Sequence, residues 1–406
     1  MIKNLKLLFY FFPVIIAFLL PFGNAITSPL IALWFIISFF CIKDLFEVKG
    51  WRNLWFISIL LFFIITTISN FVFYNPNDAL SAVEVKLTFL LFPYLFFLFK
   101  FDKEGAKRVI VAFVSGCMFA CLFCIARAFV YLFNGDSSYF YYSNFSYFMH
   151  SAYFAMYLNL AVVFVILFYF NWFKNDRSFK YIAFGFITLF LLCILLCASK
   201  MGIITLFILM PLLLIMELKQ RIKLKHYIIG ISSAVVISLS IYAVFPQVFD
   251  RLKTVAVVAN KNIDKTAKES SSVRVLIWEE CNKIIKENVV FGVGVSKANE
   301  TLYRTYEMNG LSGALEGRLN AHNQFFQTSI GMGIIGLLNL LVLTIGLIIY
   351  GLRKKRNLIF FFGLLITCNF LVESMLQTSA GTVFFVFFLC FLNVFYKIQF
   401  NEENLQ

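Results

Sequence analysis

Residues 325–350 read FFQTSIGMGIIGLLNLLVLTIGLIIY, and a basic cluster of Arg353, Lys354, Lys355 and Arg356 follows. A membrane-spanning helix needs about 17–25 predominantly apolar residues. Lys and Arg beside a span favour the cytoplasmic side of the membrane. The stretch therefore predicts a transmembrane helix with a cytoplasmic C-terminal end.

The same apolar pattern recurs along the whole chain. Hydrophobic residues make up 61% of the 406 residues and charged residues 14%, whereas soluble domains have about 45–50% and about 25%. A soluble enzyme and a disordered chain are therefore excluded. We predict twelve spans, at 5–22, 26–42, 54–73, 85–99, 109–132, 151–170, 181–198, 201–216, 227–245, 325–350, 358–373 and 381–396. The pattern predicts an all-α polytopic membrane protein.

The distribution of Lys and Arg predicts the orientation of these spans. The short connections 23–25, 74–84, 133–150 and 374–380 contain neither residue, whereas the alternate connections are rich in both. Positive residues in short loops stay cytoplasmic, so we expect both termini inside and a retained first span. Most of the net charge of +14 is explained by this topology. Little remains to support nucleic-acid binding.

One long connection, 246–324, interrupts the series of spans, and we expect it on the outer, periplasmic face. It divides the chain into spans one to nine (1–245), the loop itself, and spans ten to twelve with a cytoplasmic tail (325–406). Cys281 is the loop's single cysteine, so the loop cannot form an internal disulfide. We expect the remaining cysteines, including Cys117, Cys121 and Cys124, to pack between helices.

An amphipathic helix is predicted over 272–287 of this loop. Leu276, Ile277, Cys281, Ile284 and Ile285 form one apolar stripe at helical spacing. Arg274 lies in the first turn, where a cation opposes the helix dipole at a cost of about 0.3–1 kcal/mol. An anionic partner outside the helix would explain this position, and an ordinary solvated Arg is the alternative.

His322 stands where the loop returns to the apolar stretch. We expect it in the first turn of a membrane helix that Asn320 caps, at the outer water interface. A helix N-terminus disfavours imidazolium, so we predict a neutral imidazole suited to a general base. A lone His is more often structural, and only nearby basic groups favour the catalytic interpretation. Arg318 is a weaker candidate for substrate contact, because it lies close to His322 in sequence.

Charged or titratable groups within or beside spans are functional candidates by default. Lys200 lies at the tip of a tight hairpin between spans seven and eight, where snorkelling to the interface is the alternative. Arg127, His150 and Glu373 have no predicted role. The motif Gly331-Met-Gly333-Ile-Ile-Gly336 fits a dinucleotide-binding pattern, but it lies within a predicted membrane helix. Glycines there permit close helix packing instead.

Three separated motifs carry a resemblance to a known family. They are His322-Asn323-Gln324-Phe325-Phe326-Gln327 before a Gly-rich helix; Ser271-Ser272, Arg274, Trp278 and Gly292-Val-Gly294; and the hairpin Ser199-Lys200-Met201-Gly202. In these motifs the chain resembles the O-antigen ligase and O-antigen polymerase superfamily of bacterial inner-membrane glycan transferases. In the hairpin motif Lys200 replaces the usual Arg, which keeps the charge but loses the bidentate fork.

The resemblance implies a GT-C-like transferase with about twelve spans and a large, mostly helical outer loop. The implied reaction needs no metal or cofactor and inverts the anomeric carbon. It moves a glycan from undecaprenyl pyrophosphate to a sugar hydroxyl of lipid A–core (ligase) or of another repeat unit (polymerase). His322 would be the general base with Arg274 as its catalytic partner, and Arg274, Lys200 and Arg318 would bind pyrophosphate.

Two other classes remain open from the sequence. Twelve spans also suit a transporter or a flippase of lipid-linked oligosaccharides, which a transfer assay in detergent would distinguish from a transferase. A structural scaffold without chemistry is the third possibility. The implied partners are the polyprenyl-linked glycan, its acceptor and membrane lipids, with no nucleic acid.

Overall fold

The computed structural model describes residues 2–47, 51–73, 83–172, 177–218, 265–266 and 271–403. These residues are almost entirely helical. The α-helices are α1 (Ile2–Leu19), α2 (Asn24–Leu45), α3 (Leu54–Phe73), α4 (Thr88–Phe97), α5 (Lys103–Phe133), α6 (Tyr142–Phe145), α7 (Ser151–Trp172), α8 (Arg177–Leu196), α9 (Lys200–Leu213), α10 (Ser271–Glu287), α11 (Ala298–Met308), α12 (Ser312–Glu316), α13 (Gln324–Arg353), α14 (Asn357–Phe370) and α15 (Ser379–Glu403).

Eight of the described helices are long and apolar enough to cross a membrane. They are α1, α2, α3, α5, α7, α8, α13 and α15, and the shorter apolar helices α4, α9 and α14 correspond to three further predicted spans. The predicted span 227–245 lies outside the described residues. The chain is therefore an all-α polytopic membrane protein, as its composition indicates.

The chain divides into two compact units. The first contains Met1–Pro13, Ser28–Lys107 and Val257–Gln406, and the second contains Val14–Thr27 and Arg108–Ala256. In the first unit α13 packs on α14 and α3, and α15 packs on α4. Aromatic rings fill two further contacts of this unit: Phe62 of α3 stacks on Phe89 of α4 at 4.8 Å between centroids, and Phe370 of α14 meets Phe385 of α15 at 5.3 Å.

In the second unit α7 packs on α8 and α9. Residues 151–168 of α7 are all buried. The α8–α9 connection is the tight hairpin that the sequence predicts. Ser199 caps α9, because its Oγ accepts a hydrogen bond from the Gly202 amide at 3.2 Å.

Helices α10, α11 and α12 bury one apolar core between them, and Ile330 of α13 joins it. The predicted stripe is confirmed: Ile277, Cys281 and Ile284 of α10 are buried here. Burial raises the pKa of the Cys281 thiol and that of the Tyr306 hydroxyl. Both groups therefore stay protonated at neutral pH, as core side chains rather than a nucleophile or a base.

α13 is not the uninterrupted helix that its apolar sequence predicts, because Gly333 (φ +61°, ψ −158°) breaks it. The turn after α10 satisfies the freed backbone groups. The Val293 amide donates to the Ile330 carbonyl at 2.8 Å, and the Gly294 amide donates to the Gly331 carbonyl at 3.1 Å. In the other direction, the Ile334 amide donates to the Val289 carbonyl at 2.8 Å. Helix α10 and the turn after it are thereby fixed to the broken membrane helix.

Glycine is required where this turn meets the break. A Cβ on Gly292 would collide with the backbone of Ile330 and Gly331, and one on Gly333 would collide with the backbone of Val290. The glycines of the G-x-G motif and of the helix thus permit the close approach of two backbone segments. The sequence predicts close packing at Gly333, but between helices rather than between a helix and a turn.

Candidate active site

Arg274, Glu373 and His322 meet in the first unit. The Nη2 of Arg274 donates to Oε1 of Glu373 at 2.9 Å, and its Nη1 donates to the Val372 carbonyl at 2.8 Å. The Nδ1 of His322 lies 3.2 Å from Oε2 of Glu373. The Glu373 carboxylate therefore lies between a guanidinium and an imidazole, with one oxygen on each.

The geometry indicates which imidazole nitrogen carries the proton. An ionised carboxylate can only accept hydrogen bonds, so the contact with Glu373 requires the proton on Nδ1 of His322. The Nε2 lone pair is then the one that can take a proton from another molecule. The His322 side chain is 22% exposed and that of Glu373 is 17% exposed, so the pair is sheltered but reachable.

The backbone around His322 differs from the prediction. Asn320 does not cap the helix, and His322 is not in its first turn. Asn323 is the cap: its Oδ1 accepts from the amides of Phe325 (2.9 Å) and Phe326 (3.1 Å). Asn320 instead accepts from the His322 amide at 2.9 Å. A side chain two residues before an amide forms this local turn readily, and it leaves His322 just outside the helix.

His322 has a left-handed backbone, with φ at +43°. For an L-residue this conformation costs roughly 1–2 kcal/mol, so its neighbours must hold it. Two hydrogen bonds to the backbone of the preceding residue, Ala321, hold this conformation. The Ala321 carbonyl accepts from Nε1 of Trp278 at 3.0 Å, and the Ala321 amide donates to Oε1 of Gln327 at 3.1 Å. Trp278 is one turn after Arg274 on α10, so one helix orients both the Arg and the His segment.

The other motif residues hold the Glu373 segment. The Nδ2 of Asn323 donates to the Leu371 carbonyl at 3.0 Å, and the Asn323 amide donates to Oγ of Ser374 at 3.3 Å. Oε1 of Gln324 accepts from the Leu376 amide at 2.7 Å. Asn323 and Gln324 are thus structural residues that fix residues 371–376 beside His322.

Lys86 is a further candidate that the sequence did not single out. Its side chain is 5% exposed, and no described residue forms an ion pair or a side-chain hydrogen bond with it. The ring of Phe89, one turn after Lys86, lies 6.2 Å between centroids from the ring of Phe385. Phe385 in turn contacts Phe370, which is three residues before Glu373. A buried lysine without a described counter-charge is costly in its charged form and is a functional candidate.

Two predicted binding residues are not shown in contact with this group. Lys200 lies in the second unit, at the first residue of α9. Arg318 is exposed, with φ at +45°, and its carbonyl accepts from the Tyr303 hydroxyl at 3.0 Å. Their roles in binding remain predictions. Among the residues the structure describes, no cluster of three or more His, Cys, Asp or Glu could hold a metal ion.

Fold and site together define a multi-pass, all-helical membrane protein with a His–Glu–Arg group beside a broken membrane helix. Residues 184–341 match the family model described as O-Antigen ligase. The match spans the hairpin of Lys200, α10 with Arg274, the glycine turn and His322, so this part of the chain is similar to the O-antigen ligase family. Glu373 lies beyond the matched residues. A comparison with curated proteins gave no match.

Proposed function

We propose that the protein is a ligase-type glycosyltransferase that moves a glycan from undecaprenyl pyrophosphate to a sugar hydroxyl on the periplasmic face. The observation that carries the proposal is the Glu373 carboxylate held between Arg274 and His322. This arrangement supplies a base with a defined free nitrogen beside a cation that has unused donors.

In the proposed reaction, Nε2 of His322 takes the proton of the acceptor hydroxyl as its oxygen attacks the anomeric carbon. The bond from that carbon to the pyrophosphate oxygen breaks, and the leaving group keeps the electron pair. Attack opposite the leaving group inverts the anomeric carbon. Glu373 stabilises the imidazolium that forms, and a positioned base contributes roughly 10²–10⁴-fold to the rate.

The leaving pyrophosphate gains negative charge, and cations neutralise it. A guanidinium has five N–H donors, and Arg274 uses two of them on Val372 and Glu373. The remaining donors are available to phosphate oxygens. Lys86 is the second cation we propose for this role, because it is buried without a described counter-charge. Lys200 and Arg318 are retained as proposed contacts to the donor.

The test is glycan transfer by purified protein in detergent, where transport cannot occur. We expect His322→Ala to abolish transfer while the protein still accumulates, and Arg274→Ala to lose use of the donor. Arg304→Ala is the matched control, because its side chain is exposed on the described surface. Normal transfer by His322→Ala would remove the base assignment, and absence of transfer by the wild type would favour a flippase.

The acceptor decides between ligase and polymerase, which share donor and chemistry. The similarity of residues 184–341 to the O-antigen ligase family favours a ligase. A deletion strain should then accumulate polymer and expose free lipid A–core. A single capped repeat unit on lipid A–core would instead identify a polymerase.

A further inference from the structure

Arg127 of α5 lies within a group of tyrosine rings in the second unit. Its guanidinium carbon is 4.7 Å from the ring centre of Tyr147, 4.8 Å from Tyr139 and 5.6 Å from Tyr131. Nη1 donates to the carbonyl of Asn144 at 2.9 Å. Among the described residues, no carboxylate pairs with this cation.

The same face of α5 is exposed and apolar. Phe119, Phe123 and Val130 lie at helical spacing from Arg127 and are 50%, 44% and 59% exposed. In a helix that crosses a bilayer, exposed apolar side chains of this kind contact acyl chains. Arg127 therefore lies within a lipid-facing stripe, near the C-terminal end of α5.

The length of α5 puts Arg127 near a membrane boundary. The helix has 31 residues, so at about 1.5 Å per residue it is longer than the ~30 Å hydrocarbon core. Arg127 lies near its C-terminal end, and the surrounding tyrosines have the chemistry of an interfacial aromatic belt. This is the depth at which lipid phosphates lie.

The rings attract the guanidinium but do not neutralise it. Cation–π contacts contribute about 0.5–2 kcal/mol and leave a net positive charge on a partly buried group. Nη2 and Nε have no described hydrogen-bond acceptor. A phosphate oxygen matches the fork of Arg in both charge and geometry.

We infer that Arg127, Tyr131, Tyr139 and Tyr147 form a binding site for the phosphate of a membrane lipid whose chains lie along Phe119 and Phe123. The site is separate from the group around His322 and does not depend on the proposed transferase activity. The lipid is either a bulk phospholipid or a polyprenyl phosphate, because both present the same phosphate chemistry.

Native mass spectrometry of the full-length protein, titrated with defined lipids, tests the site. The probes are phosphatidylglycerol, undecaprenyl phosphate and diacylglycerol, which lacks the phosphate. We expect one lipid phosphate to be retained, and we expect Arg127→Gln to weaken its binding roughly 10- to 100-fold. Arg108→Gln is the matched control, because it removes the same charge from an exposed position at the other end of α5. Preference for undecaprenyl phosphate over phosphatidylglycerol would identify the source.

Two results would overturn the inference. One is equal retention of diacylglycerol and the phosphate lipids. The other is equal weakening by Arg127→Gln and Arg108→Gln, which would make Arg127 only an anchor for the Asn144 loop. If Arg127→Gln does not accumulate, Arg127→Lys tests the same phosphate site. It keeps the charge but loses the fork, so a preference for phosphate should persist with weaker binding, and an unchanged affinity would count against the site.

Discussion

Glu373 and Arg274 each lie against the dipole of their own helix. Glu373 follows the C-terminal end of α14, its amide bonded to the Asn369 carbonyl at 3.0 Å, and Arg274 is in the first turn of α10. A charge in such a position costs about 0.3–1 kcal/mol. The 2.9 Å contact between the two side chains offsets both costs. Of the two interpretations that the sequence leaves open for Arg274, the structure favours the anionic partner, which is Glu373.

We predict that Glu373→Gln lowers the rate of transfer by roughly 10²–10⁴-fold. The amide is isosteric, but it is neutral and can present its NH₂ to Nδ1, so the tautomer of His322 is no longer fixed and the imidazolium loses its counter-charge. Steady-state transfer kinetics should show the loss in kcat with little change in KM for the donor. A change in KM alone would assign Glu373 to binding rather than to positioning of the base.

A second residue-scale prediction concerns Lys86. Lys86→Met removes a buried charge that has no described counter-charge, so we expect the free energy of unfolding to rise by about 1–3 kcal/mol. Transfer should fall at the same time, because the leaving pyrophosphate loses a cation. Thermal unfolding in detergent and the transfer assay measure the two effects. Lys100→Met, at an exposed position just after α4, should change neither, and lower stability of Lys86→Met would contradict the proposal.

The sequence predicts individual site residues better than their partners. Arg274 and His322 are identified by motif order and by their unusual positions, which are local features. Glu373 is noticed as an acid in an apolar stretch, but its role depends on contacts 99 and 51 residues away. Lys86 is recognised only when its burial is known. Charge and hydropathy patterns contain no information about contacts between distant residues or about the burial of a single side chain.

At the scale of elements, the junction of α10 and α13 decides the geometry of the site. The turn 289–294 bonds to α13 at the break at Gly333. Arg274 lies in the first turn of α10, which leads into this turn, and His322 lies just before the start of α13. Apolar periodicity predicts where both helices lie in the sequence. It cannot predict the break, because the groups that stabilise it come from a turn about 40 residues earlier in the chain.

A matched pair of glycine substitutions tests this junction. Gly292 and Gly310 have φ values of +69° and +68°, but a Cβ on Gly310 meets nothing within 4 Å, whereas one on Gly292 collides with α13. We expect Gly310→Ala to cost about 1 kcal/mol for its backbone alone and to retain transfer. Gly292→Ala should cost about 2–5 kcal/mol and lose transfer. Equal melting temperatures for the two variants would show that the junction tolerates displacement.

At the scale of the whole molecule, the orientation of the chain decides which face has the site. After the break at Gly333, α13 continues over residues 334–353, and about 20 residues at 1.5 Å each give ~30 Å. This length matches the hydrocarbon core of about 30 Å, so the two ends of this segment lie on opposite sides when it spans the membrane. The basic residues after α13 favour a cytoplasmic end there, so we predict that His322 lies outside.

Cysteine labelling tests this orientation, because all nine native cysteines are buried. We expect the wild type to resist a membrane-impermeant maleimide on intact spheroplasts. Met308→Cys, at a position 75% exposed on α11, should be labelled from outside. Lys354→Cys, exposed just after α13, should be labelled only after permeabilisation. The reverse result would put the His–Glu–Arg group in the cytoplasm. It would contradict a periplasmic reaction while leaving the proposed chemistry of His322 intact, because that chemistry depends on contacts within the first unit and not on the side of the membrane.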